Sequence, residues 1–237
     1  MHYVNNTKVK FGDQNKMKKK IIAMIPARIG SKRIIKKNLR LIDGKPLISY
    51  NIETAVKSKV FDEVYVNSES DIFSNIAHSH GAQFYQRPAD LSTDETNNDD
   101  FLIDFINNNE GDVLIQILPT SPLLKVEEIK DFVFKMLDGN FDTYVSTVNH
   151  KIAGLFKNEL INSSRREPHI SSQDMQPIQT YATVLMGWKY KNFKENYNKY
   201  GFAYHGGDGK VGYHPISGLT TIDVDNEEDF RMAEVAI

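Results

Sequence analysis

Short apolar runs alternate with stretches of helical spacing along most of this chain. Runs rich in β-branched and aromatic residues predict buried strands at 21–25, 60–66, 82–85, 112–118 and 143–148. Apolar residues that recur every three or four positions predict helices at 46–58, 71–80, 98–108 and 126–137. Because strands and helices alternate, the pattern favours an α/β fold with a mostly parallel central sheet and helices on both faces.

The pattern loosens between about 149 and 200. Residues 162–180 are polar and contain two prolines, and the next apolar run predicts a strand at 181–190. We interpret 149–200 as an inserted segment that acts as a lid or a dimerisation arm. Beyond it, the pattern predicts strands at 211–216 and 220–224 and a final helix at 226–235.

A basic loop, defined here as residues 27–38, follows the first predicted strand. Its polar and flexible members are Arg28, Gly30, Ser31, Lys32, Arg33, Lys36, Lys37 and Asn38. Ammonium groups and backbone N–H groups in such a loop can surround phosphate oxygens, which predicts a site for a nucleoside triphosphate. The spacing matches neither a P-loop nor a dinucleotide-binding fingerprint. The alternative is a solvated basic loop, since charge runs are usually solvated.

Two further segments also follow predicted strands: the segment after Tyr85 and the Pro-Thr-Ser-Pro turn at 119–122. In open α/β sheets, ligands bind beyond the carboxyl ends of the strands. We therefore expect both segments to converge with the basic loop in one site.

A pair of carboxylates near the end of the chain predicts a metal site. Asp223 and Asp225 are two positions apart at the end of the predicted strand 220–224, so their side chains would point to the same face if the extended backbone continues to Asp225. One or two carboxylates can hold Mg²⁺ when water and substrate phosphates complete its octahedron. The alternative is that Asp225 caps the final helix and Asp223 faces solvent.

Four segments together resemble the acylneuraminate cytidylyltransferases. They are PARIGSKR at 26–33 with Lys37-Asn38-Leu39, RPADLSTDET at 87–96, PTSPL at 119–123, and TIDVDNEEDFRMAE at 221–234. The resemblance implies a Rossmann-like nucleotidyltransferase domain at 20–237. It implies an enzyme that transfers CMP from CTP to an acidic 2-keto sugar and releases pyrophosphate. It also implies Mg²⁺ as cofactor and a homodimer in which 149–200 reaches the partner.

The resemblance assigns roles to the matching positions. The nucleotide-binding residues would be Ala27, Arg28, Ser31, Lys32, Lys37, Asn38, Arg87, Thr96 and Asn98, with Arg87 meeting the base. The catalytic residues would be Arg28, Lys37, Asp223 and Asp225, of which the two aspartates hold the metal. The candidate sugar-binding residues are Gln116, Ser121, Arg165 and Arg166. The two arginines are included because a guanidinium matches the geometry of a carboxylate, although they are equally well explained as solvated side chains.

The chain departs from the family pattern on the sugar side. Leu118 stands directly before the PTSP turn where the sialate pattern has Gln, and Gln116 lies two positions earlier. Residues 171–174 and Ala182-Thr183 stand where the family commonly has RRQDxP and NG. These departures leave the predicted nucleotide site intact and leave the identity of the sugar open.

Two other functions remain open from the sequence. A metal-dependent glycosyltransferase of the GT-A type is one, because Asp223-Val224-Asp225 resembles a DxD motif. A non-catalytic nucleotide-binding protein of the same fold is the other. The lysine-rich loop argues against the first, and the combination of carboxylates and basic residues argues against the second.

Composition sets the remaining bounds. The chain has 237 residues and a formal net charge of −2, so neither nucleic acid nor an anionic membrane is an expected partner. It has no cysteine, which excludes a disulfide framework and thiolate chemistry. Residues 1–19 are polar and lysine-rich, which predicts a disordered tail. No apolar run approaches the ~18 residues of a membrane span, and we predict a cytoplasmic protein.

Overall fold

The structure, a computed structural model, describes residues 19–237. The predicted tail at 1–19 therefore lies outside the described residues, apart from Lys19. The strands are β1 (Ile21–Pro26), β2 (Leu41–Ile42), β3 (Lys45–Pro46), β4 (Glu63–Ser68), β5 (Gln83–Gln86), β6 (Val113–Ile117), β7 (Thr143–His150), β8 (Leu155–Phe156), β9 (Glu159–Leu160), β10 (Ile178–Lys189) and β11 (Val211–Ile216). The α-helices are α1 (Leu47–Ser58), α2 (Ile72–Ser79), α3 (Asn98–Asn108), α4 (Val126–Asp138), α5 (Tyr190–Tyr200) and α6 (Glu227–Ala236).

Seven of these strands form one central sheet in the order β11-β7-β10-β6-β1-β4-β5. Neighbouring strands are parallel except at β10, which runs antiparallel to both β6 and β7. The remaining strands form two small hairpins, β2-β3 and β8-β9. The predicted α/β fold with a mostly parallel sheet is confirmed.

The apolar core has two halves, one on each face of the sheet. Successive side chains of a strand point to opposite faces, and β1 accordingly sends Ile21, Ala23 and Ile25 into one half and Ile22 and Met24 into the other. Helices α1, α2 and α4 cover the first half, and α3 and α5 cover the second. The predicted helices on both faces are therefore present. Within residues 19–237, no helix combines the length and the apolar character that crossing a membrane requires.

A third, smaller apolar cluster holds the last helix against the basic loop. Phe230 and Ala233 of α6 pack there with Val224 and with Ile34 of the loop. The predicted strand at 220–224 is wrong. Residues Gly218–Thr221 form a short 3-10 helix, and the backbone N–H of Val224 donates to the carbonyl of Thr120 at 2.8 Å instead of joining a sheet.

The segment outside the sheet is shorter than the predicted insertion at 149–200. Strand β10 lies inside the central sheet, and α5 packs on the same core half as α3. Only residues 151–177, with the β8-β9 hairpin, lie between the sheet strands β7 and β10. The sequence pattern did not predict that β10 belongs to the central sheet, because the first half of the strand is polar and partly exposed and only the second half is buried.

Candidate active site

A cavity of about 510 Å³ opens beyond the carboxyl ends of three parallel strands. Its lining begins at Pro26, the last residue of β1, at Arg87 after β5 and at Leu118 after β6. Asp225 lines it from the segment before α6. The expected convergence of the basic loop, the segment after Tyr85 and the PTSP turn is therefore present in the structure. The nine residues predicted to bind the nucleotide all line this cavity.

Contacts with β4 and the segment after it position the start of the basic loop. The backbone N–H of Ala27 donates to the carbonyl of Asn67 at 2.9 Å, and the N–H of Ile29 donates to a carboxylate oxygen of Glu69 at 2.8 Å. The sequence patterns assigned no role to Glu69. A single carboxylate carries no pattern, and its partner is 40 residues away in the chain.

Asp94 pairs with two cations of the basic loop. Its carboxylate lies 3.1 Å from Nη1 of Arg28 and 2.5 Å from Nζ of Lys32. The hydrogen bond from Lys32, aided by the charges of both cations, holds the pKa of Asp94 below its ordinary value. Asp94 belongs to the RPADLSTDET segment, yet no role was predicted for it.

Asp225 pairs with two further cations of the basic loop, Arg33 and Lys37. Its carboxylate lies 3.0 Å from Nη1 of Arg33 and 3.2 Å from Nζ of Lys37. Lys37 also donates to the backbone carbonyl of Val224 at 2.6 Å, which fixes its ammonium group against this segment. Four of the five cations of the basic loop thus pair with two carboxylates, Asp94 of the 87–98 segment and Asp225 of the segment before α6.

The alternative role of Asp225 as a helix cap is wrong. Asn226 is the N-cap of α6, and its side-chain oxygen accepts from the backbone N–H groups of Glu228 and Asp229. The carboxylate of Asp229 accepts in return from the N–H of Asn226, which completes a capping box. The side chain of Asp225 is therefore not needed for the cap and lines the cavity.

Asp223 is partly buried beside Asp225 and is not among the residues that line the cavity. Burial raises the pKa of the Asp223 carboxyl, and the negative charge of Asp225 raises it further, against a hydrogen bond with Thr120 that lowers it. The alternative that Asp223 simply faces solvent is therefore wrong. Within the described range 19–237, no group of three or more His, Cys, Asp or Glu side chains could hold a metal.

Arg87 lines the cavity but its guanidinium is already engaged. One nitrogen donates to the backbone carbonyls of Ala27 and Asn67, and the group stacks 4.8 Å from the ring centre of Phe101. Burial lowers the pKa of Arg87. These contacts tie the 87–98 segment to the start of the basic loop, and the predicted contact with the base stays a prediction.

The four candidate sugar-binding residues do not line this cavity. Gln116 is buried within β6, and Ser121 is buried in the turn that follows. Arg165 and Arg166 are exposed in the 151–177 segment, where Arg165 donates to the carbonyl of Asn158 at 2.7 Å. Leu118, Pro119 and Thr120 line the cavity at this side instead. The structure thus brings together the predicted nucleotide residues and leaves the predicted sugar residues apart from them.

Known proteins resemble both the sequence and the fold. A family model described as cytidylyltransferase matches residues 22–180. The chain is 41% identical over 109 residues to an N-acylneuraminate cytidylyltransferase of Escherichia coli, which covers 45% of the chain and 26% of that protein. It is 37% identical over 120 residues to a CMP-N,N'-diacetyllegionaminic acid synthase of Legionella pneumophila, which covers 48% of the chain and 52% of that protein. The matched stretches thus span between about a quarter and a half of these two relatives.

A solved structure shares the fold over nearly the whole chain. It is that of a CMP:2-keto-3-deoxy-manno-octonic acid synthetase complexed with CTP, with a TM-score of 0.66 and 15% sequence identity over 92% of this chain and 98% of that one. At this identity the likeness shows a shared fold. The family model covers more than half of the sequence. The resemblance predicted from the four sequence segments is confirmed, and the chain belongs to the cytidylyltransferase family.

Proposed function

We propose that this protein transfers CMP from CTP to an acidic 2-keto sugar of the nonulosonate type and releases pyrophosphate. One observation carries the proposal: the nine predicted nucleotide-binding residues line one cavity, into which the basic loop brings four of its five cations. The names of the relatives, which make CMP-linked acidic sugars, support the choice of substrates.

The reaction is a displacement at phosphorus. The anomeric hydroxyl oxygen of the sugar forms a bond to the α-phosphorus of CTP and loses its proton to the solvent, and the bond from that phosphorus to the bridging oxygen of pyrophosphate breaks. Arg28, Lys32 and Lys37 hold the triphosphate and neutralise the charge that develops on the departing pyrophosphate. Positioning of the two substrates supplies much of the remaining acceleration.

Asp223 and Asp225 fit a magnesium site by their chemistry. Two carboxylates with substrate phosphates and water form the oxygen set that Mg²⁺ takes. Burial raises the pKa of the Asp223 carboxyl and the charge of the neighbouring Asp225 adds to the effect, so a bound cation would remove the repulsion between the two carboxylates. When bound, Mg²⁺ supplies charge neutralisation at the reacting phosphate.

The homodimer predicted from the sequence belongs to this proposal. Leu155, Phe156 and Ile161 are each more than half exposed in the 151–177 segment, which supports a contact surface there. The roles of Gln116, Ser121, Arg165 and Arg166 toward the sugar also stay predictions, as does the cytoplasmic location. A glycosyltransferase or a non-catalytic protein is less well supported. Neither function requires both a basic loop for a triphosphate and a pair of carboxylates for a metal ion.

The function is tested by pyrophosphate release from CTP in the presence of single acidic 2-keto sugars. Release is expected only when CTP, Mg²⁺ and one suitable sugar are all present, because the sugar hydroxyl is the nucleophile. Reactions without sugar and with neutral sugars are the controls. Absence of release with every acidic sugar of the nonulosonate and octulosonate classes, from protein that binds CTP, would favour the non-catalytic alternative.

Nucleotide preference provides an independent prediction. CTP is expected to bind at least about tenfold more tightly than ATP or GTP, a difference of about 1.4 kcal/mol. The reason is that the 87–98 segment and the basic loop line one cavity of about 510 Å³, which favours the smaller pyrimidine base. Calorimetric titration with each nucleotide measures this difference. Equal affinity for all of them would contradict a base-selective site.

A further inference from the structure

Asp94 occupies the position in the cavity where the triphosphate is expected. Its carboxylate contacts Arg28 and Lys32, and all three side chains line the cavity. Both cations are members of the set that the proposed function assigns to the phosphates. A carboxylate and a triphosphate cannot both hold the same ammonium group at full strength, since each offers the same kind of charged oxygen acceptor.

The ion pairs of Asp225 and those of Asp94 differ in how firmly they are held. Among the partners of Asp225, Lys37 is only 13% exposed and also donates to the carbonyl of Val224. The other partner of Asp225, Arg33, is 68% exposed. Both partners of Asp94 are exposed, Arg28 by 40% and Lys32 by 74%, and Asp94 itself is 43% exposed. An incoming anion can therefore reach both ion pairs of Asp94, whereas Asp225 retains the largely buried Lys37.

Arg87 ties the start of the 87–98 segment to Ala27, but the hydrogen bonds of Thr93 and Thr96 beside Asp94 do not reach the basic loop. The hydroxyl of Thr96 donates to the carbonyl of Asp90 at 3.0 Å and lies 3.1 Å from the hydroxyl of Thr93, so these contacts stay within the same segment. Near residue 94, the 87–98 segment contacts the basic loop through the two ion pairs that Asp94 forms with Arg28 and Lys32.

We propose that Asp94 is an internal competitor for the triphosphate: it pairs with Arg28 and Lys32 in the nucleotide-free protein and is displaced when the triphosphate binds. This inference rests on the proposed function, because it requires that these cations bind phosphate. Binding then breaks two ion pairs, which lowers the affinity for CTP and frees the 93–96 segment from the basic loop. The opposite role, in which Asp94 holds the two cations ready for the triphosphate, predicts weaker binding when its charge is removed.

The test compares the wild type with Asp94→Asn, Asp94→Glu and Asp90→Asn. Asp90 lies in the same segment and is exposed, and it is not among the residues that line the cavity, so Asp90→Asn removes one charge without removing the competitor. Dissociation constants for CTP and for inorganic tripolyphosphate are measured by calorimetry at one fixed ionic strength. Melting temperatures are measured alongside, and none of the variants is expected to change them much because both aspartates are exposed.

Asp94→Asn is expected to lower both dissociation constants by about three- to tenfold, because exposed ion pairs each contribute a modest factor to an equilibrium. Asp94→Glu and Asp90→Asn are expected to stay near the wild type. A dissociation constant that is unchanged or higher in Asp94→Asn overturns the inference and leaves the proposed function standing, provided that the wild type binds CTP. Equal tightening in Asp90→Asn also overturns it, since general charge would then explain the effect. A wild type that binds neither CTP nor tripolyphosphate overturns the proposed function and this inference together.

Discussion

Asp225→Asn is expected to lower turnover by at least about a hundredfold while the protein remains as stable as the wild type. Asparagine has the same shape but lacks the charge that pairs with Arg33 and Lys37 and that is proposed to hold Mg²⁺. A metal ion at a reacting phosphate is worth several kcal/mol, and about 1.4 kcal/mol corresponds to a factor of ten in rate. Stability should be kept, because the cap of α6 is formed by Asn226 and not by Asp225.

The matched control for Asp225→Asn is Asn226→Ala. It removes the N-cap of α6 and is expected to cost roughly 1 kcal/mol of stability, with most of the activity kept. Pyrophosphate release and the melting temperature are measured for both variants, with and without Mg²⁺. Binding of CTP with Mg²⁺ should raise the melting temperature of the wild type more than that of Asp225→Asn. Full activity of Asp225→Asn, or full activity of the wild type in excess chelator, would contradict the metal assignment.

Lys37→Met is expected to reduce both turnover and stability. The Lys37 ammonium group joins the basic loop to the segment before α6 through the Val224 carbonyl and Asp225. Its loss leaves that largely buried carbonyl without this donor, at a cost of about 1–3 kcal/mol. For a protein of this size each kcal/mol lowers the melting temperature by about 2–4 °C. Turnover should fall by about a hundredfold or more, because one triphosphate cation is lost and Asp225 loses one of its two partners.

The neighbouring Lys36→Met is the control for Lys37→Met. Lys36 is exposed and is not among the residues that line the cavity, so the same change of charge should leave pyrophosphate release nearly unchanged. Thermal melting and steady-state kinetics with varied CTP separate the structural effect from the loss of a phosphate contact. Lys37→Met with wild-type kinetics would contradict the role of Lys37 in the reaction.

Hydrophobic periodicity alone predicted most of the secondary structure. Buried strands such as β1 and β6 are continuous apolar runs because both of their faces are covered, and α3 shows helical spacing because one side packs on the sheet. The rule that sites lie beyond the carboxyl ends of parallel strands placed the basic loop, the 87–98 segment and the PTSP turn together. The family resemblance then named nine nucleotide residues, which the structure places around one cavity.

Only the tertiary structure decided which charges meet. Arg28 and Asp94 are 66 residues apart, and Lys37 and Asp225 are 188 residues apart, so no local pattern links them. The structure likewise showed that Asn226 caps α6, that residues 220–224 join no sheet and that β10 lies in the central sheet between β7 and β6, antiparallel to both. Local periodicity reports which face of an element is buried. Local periodicity does not report which charge pairs with which, which strands are neighbours, or which group accepts each backbone hydrogen bond. These depend on segments that only the folded chain brings into contact.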